Sequence, residues 1–270
     1  MSIPCLKMMT KCILCIAVII LFSFPSAGQT DSLQDTLQSV LPVTNKYFKS
    51  GNNELTLSKY SGDSTKSYLL LSLHHNEQTA IEEAKYFISG NGGMLYELEN
   101  EKQRNITATI KGEKVVFDPN RIFTMRGRSE SIKSKTYRKS KLQYVLSFSW
   151  FILSAMPEDK IIIAVHNNAD EGFSIHSYRK GGSLAKDAKD VYLNTAMDPD
   201  DFFLTTDEGI FEKIKNEDYS VVLQSKTATD DGSLSIYCGK ISRKYINVET
   251  EHGHAYELKN MLRVIDEILQ

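Results

Sequence analysis

Long apolar stretches are nearly absent from this 270-residue chain. The longest unbroken run, residues 12–22, has eleven residues, too few to span a bilayer. That excludes a multi-span membrane protein. Cysteine is scarce as well: of four, Cys5, Cys12 and Cys15 lie in the first fifteen residues, leaving Cys238 alone in the body of the chain. A single cysteine forms no intramolecular disulfide, so the fold must stand on its core or on a metal. Charge of one sign is lacking too, with 32 Lys and Arg against 34 Asp and Glu. A nearly neutral chain has no bulk electrostatic reason to hold nucleic acid. No internal repeat, low-complexity tract or Pro/Gly-rich linker divides the sequence. What remains, 41% apolar and 24% charged residues, is the mixture of a globular protein large enough to bury a full core.

The amino terminus has the pattern of an export signal. Lys7 and Lys11 precede the apolar run, and Pro25, Ser26, Ala27 and Gly28 supply small residues before Gln29. Residues 1–28 are therefore expected to be a cleaved signal peptide, with the mature protein periplasmic or secreted and without a membrane span. Removing Lys7 and Lys11 leaves 30 basic against 34 acidic residues. Residues 29–46, polar with scattered Leu and Val, are expected to form a lead-in segment or short helix. One domain should then cover 47–270.

Within that domain, strand-like and helix-like stretches alternate. Residues 67–73 (SYLLLSL) have the character of a buried strand, and Ala80, Ile81, Ala84, Phe87 and Ile88 share one helix face closed by Gly90. Residues 105–110 and 114–117 flank a Lys-Gly-Glu turn and suggest a hairpin. Residues 142–156, apolar but interrupted by Gln143, Ser147 and Ser149, suit a buried helix. Residues 161–165 (IIIAV) suit a strand covered on both faces. Residues 172–178, 219–223, 234–237 and 245–248 are further strand candidates, and Leu258, Met261, Leu262, Ile265, Ile268 and Leu269 mark a final helix. Interleaved strands and helices point to a single-domain, mixed-sheet α/β sandwich.

Open α/β sheets bind ligands at the carboxyl ends of their strands. Three apolar runs here end in groups fit for chemistry: His74 and Glu77, then His166, then Glu249. Two imidazoles and a carboxylate can fill three positions of a tetrahedral Zn²⁺, and a separate Glu can move a proton. Beside them stands Asp118-Pro119-Asn120-Arg121-Ile122-Phe123. In that order, His-x-x-Glu, an Asp-x-Asn-Arg-x-Phe segment, a strand ending in His and a late strand bearing Glu, the chain resembles the zinc carboxypeptidase superfamily, closest to its succinylglutamate desuccinylase/aspartoacylase-like branch. Pro119 stands where that motif usually carries Leu.

The resemblance implies a zinc-carboxypeptidase-like metallohydrolase domain over 47–270. It implies Zn²⁺ on His74, Glu77 and His166, a substrate carboxylate on Asn120 and Arg121, and Glu249 as general base, with Arg104 helping to stabilise an oxyanion. The substrate would be a small peptide or N-acyl amino acid with a free carboxylate. A non-catalytic carboxylate-binding protein on the same fold is the alternative, against which the intact ligand set weighs. Strand alternation does not separate Glu249 from Glu251. Asp118 is also a possible ion-pair partner for Arg121. His252 and His254 offer two more imidazoles, suited to a surface turn or to contact with the site. His176 and Tyr178 are candidates to line the cleft, and the basic stretch 126–141 is expected to be a solvated face.

Overall fold

The computed structural model describes residues 41–50, 52–133, 135–169 and 172–270. The expected signal segment 1–28 and most of the expected 29–46 lead-in lie outside them. The part of the lead-in that is described enters a strand, β1 (Val43–Ser50), rather than a helix.

Strands β1, β2 (Asn53–Ser61), β3 (Tyr68–Ser72), β4 (Met94–Glu99), β7 (Ile161–Asn168), β8 (Ala188–Tyr192), β9 (Phe202–Thr205), β10 (Val221–Gln224) and β11 (Tyr245–Glu251) form one mixed sheet in the order β1-β2-β4-β3-β7-β11-β9-β10-β8. β4, β3, β7 and β11 run parallel at its centre, and β9 turns antiparallel against β11. The remaining two strands, β5 (Ile106–Ile110) and β6 (Glu113–Phe117), make the expected hairpin outside the sheet.

The central strands are apolar throughout because both faces are covered. Leu69, Leu71, Ile162, Ala164 and Tyr245 face one core, closed by α3 (Arg138–Ala155), α5 (Leu234–Lys240) and the β5–β6 hairpin. Tyr68, Leu70, Ile163, Val165, Ile246 and Val248 face the other, closed by α1 (Gln78–Asn91), α4 (Glu208–Asn216) and α6 (Ala255–Ile268). The remaining helix, α2 (Met125–Ser131), leads toward α3. This is the mixed-sheet α/β sandwich the alternation of elements implies. No helix among the described residues is long and apolar enough to cross a membrane.

Two strand expectations fail for local reasons. Residues 234–237 are helical, because Gly232 turns the chain at φ +85° and the Ser233 hydroxyl caps the Ile236 N–H. Residues 172–178 end in a 3₁₀ turn, Ile175–Tyr178, that buries Ile175 alone.

Candidate active site

From β3 the chain passes through α1 to β4 on one side, and later adds β7 on the other side of β3. The carboxyl ends of β3 and β7 therefore flank a topological switch point, where an open sheet leaves a crevice. His74 follows β3, and a turn closed by the Glu77 N–H on the His74 carbonyl (3.0 Å) swings Glu77 back under it at the start of α1. On β7, side-chain alternation puts His166 on the face of Ile162 and Ala164. In the β7–β11 register His166 lies opposite Glu249, so neighbouring parallel strands present both groups side by side.

Three donors converge there. His74 Nδ1 lies 2.9 Å from Glu77 Oε1, His166 Nδ1 lies 2.8 Å from Glu77 Oε2, and the two Nδ1 atoms are 3.3 Å apart. All three side chains are buried, and one ligand atom from each lies within 4.8 Å of the others. His74 Nε2 sits 2.8 Å from Asp118 Oδ1, the kind of outer carboxylate that fixes a ligating imidazole. Burial opposes a charged His74, but hydrogen bonds to Asp118 and Glu77 outweigh it and lift its pKa to about 9. Burial likewise opposes ionisation of Asp118 and Glu77. The paired histidines overcome it, holding Asp118 near 2 and Glu77 well below the usual carboxylate range. With an ionised carboxylate set between two imidazoles, and both carboxylate oxygens and both Nδ1 atoms turned inward, the donor set fits a divalent cation.

A cavity of about 410 Å³ opens over these donors, lined also by Asn76, Arg104, Asn120, Arg121, Phe173, Glu249 and His252. Glu249 is 9% exposed, and Asn247 Nδ2 donates to its Oε1 at 2.8 Å. Its burial raises its pKa. Arg104 Nη1 reaches Glu77 Oε1 at 2.7 Å, and its Nη2 lies 3.4 Å from Asp118 Oδ2. The Asn120 Oδ1 accepts the Leu234 N–H at 3.0 Å, which leaves its Nδ2 as the donating end. Arg121 lies beside it, its side chain 42% exposed.

No protein-family model matches the sequence, and a search of curated proteins finds no match. Solved structures are similar in fold. A metallo-carboxypeptidase from Burkholderia cenocepacia is 10% identical, with 90% of this chain and 69% of that one covered and a TM-score of 0.44. Murein-tripeptide amidase from Escherichia coli O157 is 10% identical over 87% of this chain and 95% of its own, at 0.45. An aspartoacylase family protein from Mesorhizobium loti is 11% identical over 86% and 68%, at 0.41.

The structure thus gathers His74, Glu77, His166, Glu249, Arg104, Asn120 and Arg121 around one cavity. Glu251 does not line it and pairs with His254 instead. His75 also stays out: its Nδ1 accepts the N–H groups of Asn100 and Lys102, and its Nε2 lies 3.4 Å from Glu97. His176 is exposed and away from the cleft. Tyr178 borders a neighbouring pocket. Asp118 does not pair with Arg121, which lies 3.6 Å from Asp231. Sequence reasoning missed the link from Asp118 to His74 and the role of Asn167. That residue's Oδ1 accepts the Ala80 N–H at the start of α1, while its Nδ2 reaches Thr250 on β11.

Proposed function

We propose that this chain is an exported zinc-dependent hydrolase of the carboxypeptidase type, cleaving an amide bond next to a free carboxylate. The observation that carries the reading is the convergence of His74, Glu77 and His166 in one cavity with Glu249 and the Asn120–Arg121 pair. The order of landmarks along the sequence and the folds of the similar structures support the same family, and the amino-terminal segment supports export.

His74, Glu77 and His166 would hold the zinc, which supplies a Lewis acid for the carbonyl and lowers the pKa of water toward ~7. Glu249 takes the proton from the attacking water and returns it to the leaving nitrogen. Its burial beside His166 keeps that carboxylate close to the reacting atoms and basic enough to accept. Arg121 and the Asn120 amide clamp the substrate carboxylate, because a planar guanidinium matches the two oxygens of a carboxylate and fixes the register of attack. Arg104, anchored at the cleft on Glu77, faces charge that develops on the carbonyl oxygen. Peptides and N-acyl amino acids both satisfy these demands.

A screen of peptides and N-acyl amino acids, each as free acid and as carboxamide, tests this. Hydrolysis of the acids should exceed that of the amides by orders of magnitude. Arg121→Lys should lose most of that preference, and Glu249→Gln should lose turnover while retaining zinc. Equal cleavage of both forms, or unchanged turnover in Glu249→Gln, would overturn the reading.

A further inference from the structure

The turn after β11 contains chemistry that the proposed reaction does not use. Past Glu249 the strand continues to Glu251, about 7 Å further along the same face. It then bends through His252 and Gly253 (φ +93°) into His254 at the start of α6. The His254 Nδ1 lies 2.9 and 3.1 Å from the two oxygens of Asp201. Asp201 is 1% exposed, and its Oδ1 also accepts the Glu251 N–H at 2.9 Å, so the backbone locks the carboxylate that orients the ring. With its proton held on Nδ1, the imidazole turns Nε2 outward, 3.5 Å from Glu251 Oε2. Asp198 completes the group: its Oδ1 accepts the Asp200 N–H, and one ligand atom each from Asp198, Glu251 and His254 lies within 4.8 Å of the others.

The arrangement repeats, with the ring nitrogens exchanged, the one at His74. There a carboxylate outside the cluster holds one nitrogen while the other faces two more donors. Charge points the same way. Asp201 lies against the His254 Nδ1 and Glu251 against its Nε2, Asp198 offers a ligand atom within 4.8 Å, and Glu257 on α6 adds a fourth negative charge nearby.

We propose that Asp198, Glu251 and His254 form a second divalent-metal site at the rim of the cleft, with Asp201 orienting the imidazole. One nitrogen and two carboxylates, open enough to solvent for water to complete the shell, suit an ion of the Zn²⁺ class. Ca²⁺ seeks six to eight oxygens, and Mg²⁺ prefers oxygen ligands and retains its waters. An ion there would fasten the β9-side loop carrying Asp198 to the turn carrying His252, a residue of the cleft wall. The proposal stands apart from the proposed reaction, since none of its three ligands touches the substrate cavity.

The test is zinc stoichiometry of the metal-stripped mature protein, titrated with Zn²⁺ against a chromophoric chelator. Wild type should bind two equivalents, and the His74→Ala/His166→Ala variant should retain one. Adding Asp198→Asn and His254→Gln to that variant should bring it to zero, with circular dichroism confirming that each chain is folded. Glutamine at 254 keeps a donor for Asp201, and Asn at the exposed Asp198 is nearly isosteric, so folding is preserved. Asp198→Asn and His254→Gln alone, with the first site intact, should lower the count from two to one. Zero equivalents in His74→Ala/His166→Ala, or an unchanged count in Asp198→Asn/His254→Gln, would overturn the second site. Loss of the equivalent that depends on His74 and His166 would count against the proposed enzyme and not against this site.

Discussion

Two adjacent histidines show how much a single residue's surroundings decide. His74 aims Nδ1 at Glu77 and His166, whereas His75 spends its Nδ1 accepting two backbone N–H groups from the segment after β4. The two should therefore fail differently. His75→Ala leaves those donors without a protein partner and should cost about 1 kcal/mol of stability, read as a lower urea midpoint, with zinc binding at the first site kept. His74→Ala should lose that zinc. If His75→Ala lost zinc and His74→Ala kept it, the assignment of the two rings would be reversed. Glu249 and Glu251 are separated in the same way, one lining the cleft and the other facing His254.

At the scale of elements, the proposed carboxylate clamp of Asn120 and Arg121 depends on a close backbone crossing. The Phe123 N–H donates to the Gly232 carbonyl at 2.9 Å, and the Asn120 side chain receives the N–H of Leu234 at the start of α5. Gly232 has φ +85°, and a Cβ there would lie 2.3 Å from the Arg121 carbonyl oxygen and 2.6 Å from the Gly127 Cα. Both neighbours are backbone and cannot swing aside. Gly232→Ala should cost at least about 2 kcal/mol, combining the left-handed penalty with a forced separation, and should weaken substrate binding through Arg121. Gly112, at φ +81° in the β5–β6 turn, has nothing within 4 Å of such a Cβ. Gly112→Ala should cost only the left-handed penalty, roughly 1 kcal/mol, and leave binding alone. Equal denaturation midpoints for the two variants would show that the crossing tolerates a side chain.

For the whole molecule, the site's polar pairs link folding to pH. Asp118 titrates near 2 in the fold against 3.8 ordinarily, because its pairing with His74 overcomes the cost of burial. A carboxylate depressed in the folded state stabilises it above its unfolded pKa, and that contribution fades as pH falls through the folded value. The shift corresponds to about 2 kcal/mol, present above pH ~4 and gone near pH ~2. Asp118→Asn should flatten the fall in stability across that window, measured by urea unfolding at stepped pH. An unaltered acid limb would mean that the pair with His74 contributes little to folding.

The sequence by itself determined the layered α/β architecture, since residues 68–71 and 161–165 are apolar on both faces and only a doubly covered central strand tolerates that. It also determined which polar groups close those strands, and so named His74, Glu77, His166 and Glu249. It left both edges of the sheet and β9 unread, because β1 and β8 are exposed or half-exposed and carry little period, and β9 is only four residues long. It placed a strand at 234–237, where one capping serine and one glycine outweighed the alternation. The choice between Glu249 and Glu251, the transfer of Asp118 from Arg121 to His74, and the meeting of Asp198 with His254 belong to the tertiary structure alone. Each joins segments far apart in the chain or turns on which side of a strand's end the backbone bends. Local composition sets what a strand buries; only the assembled sheet sets which loops its ends bring together.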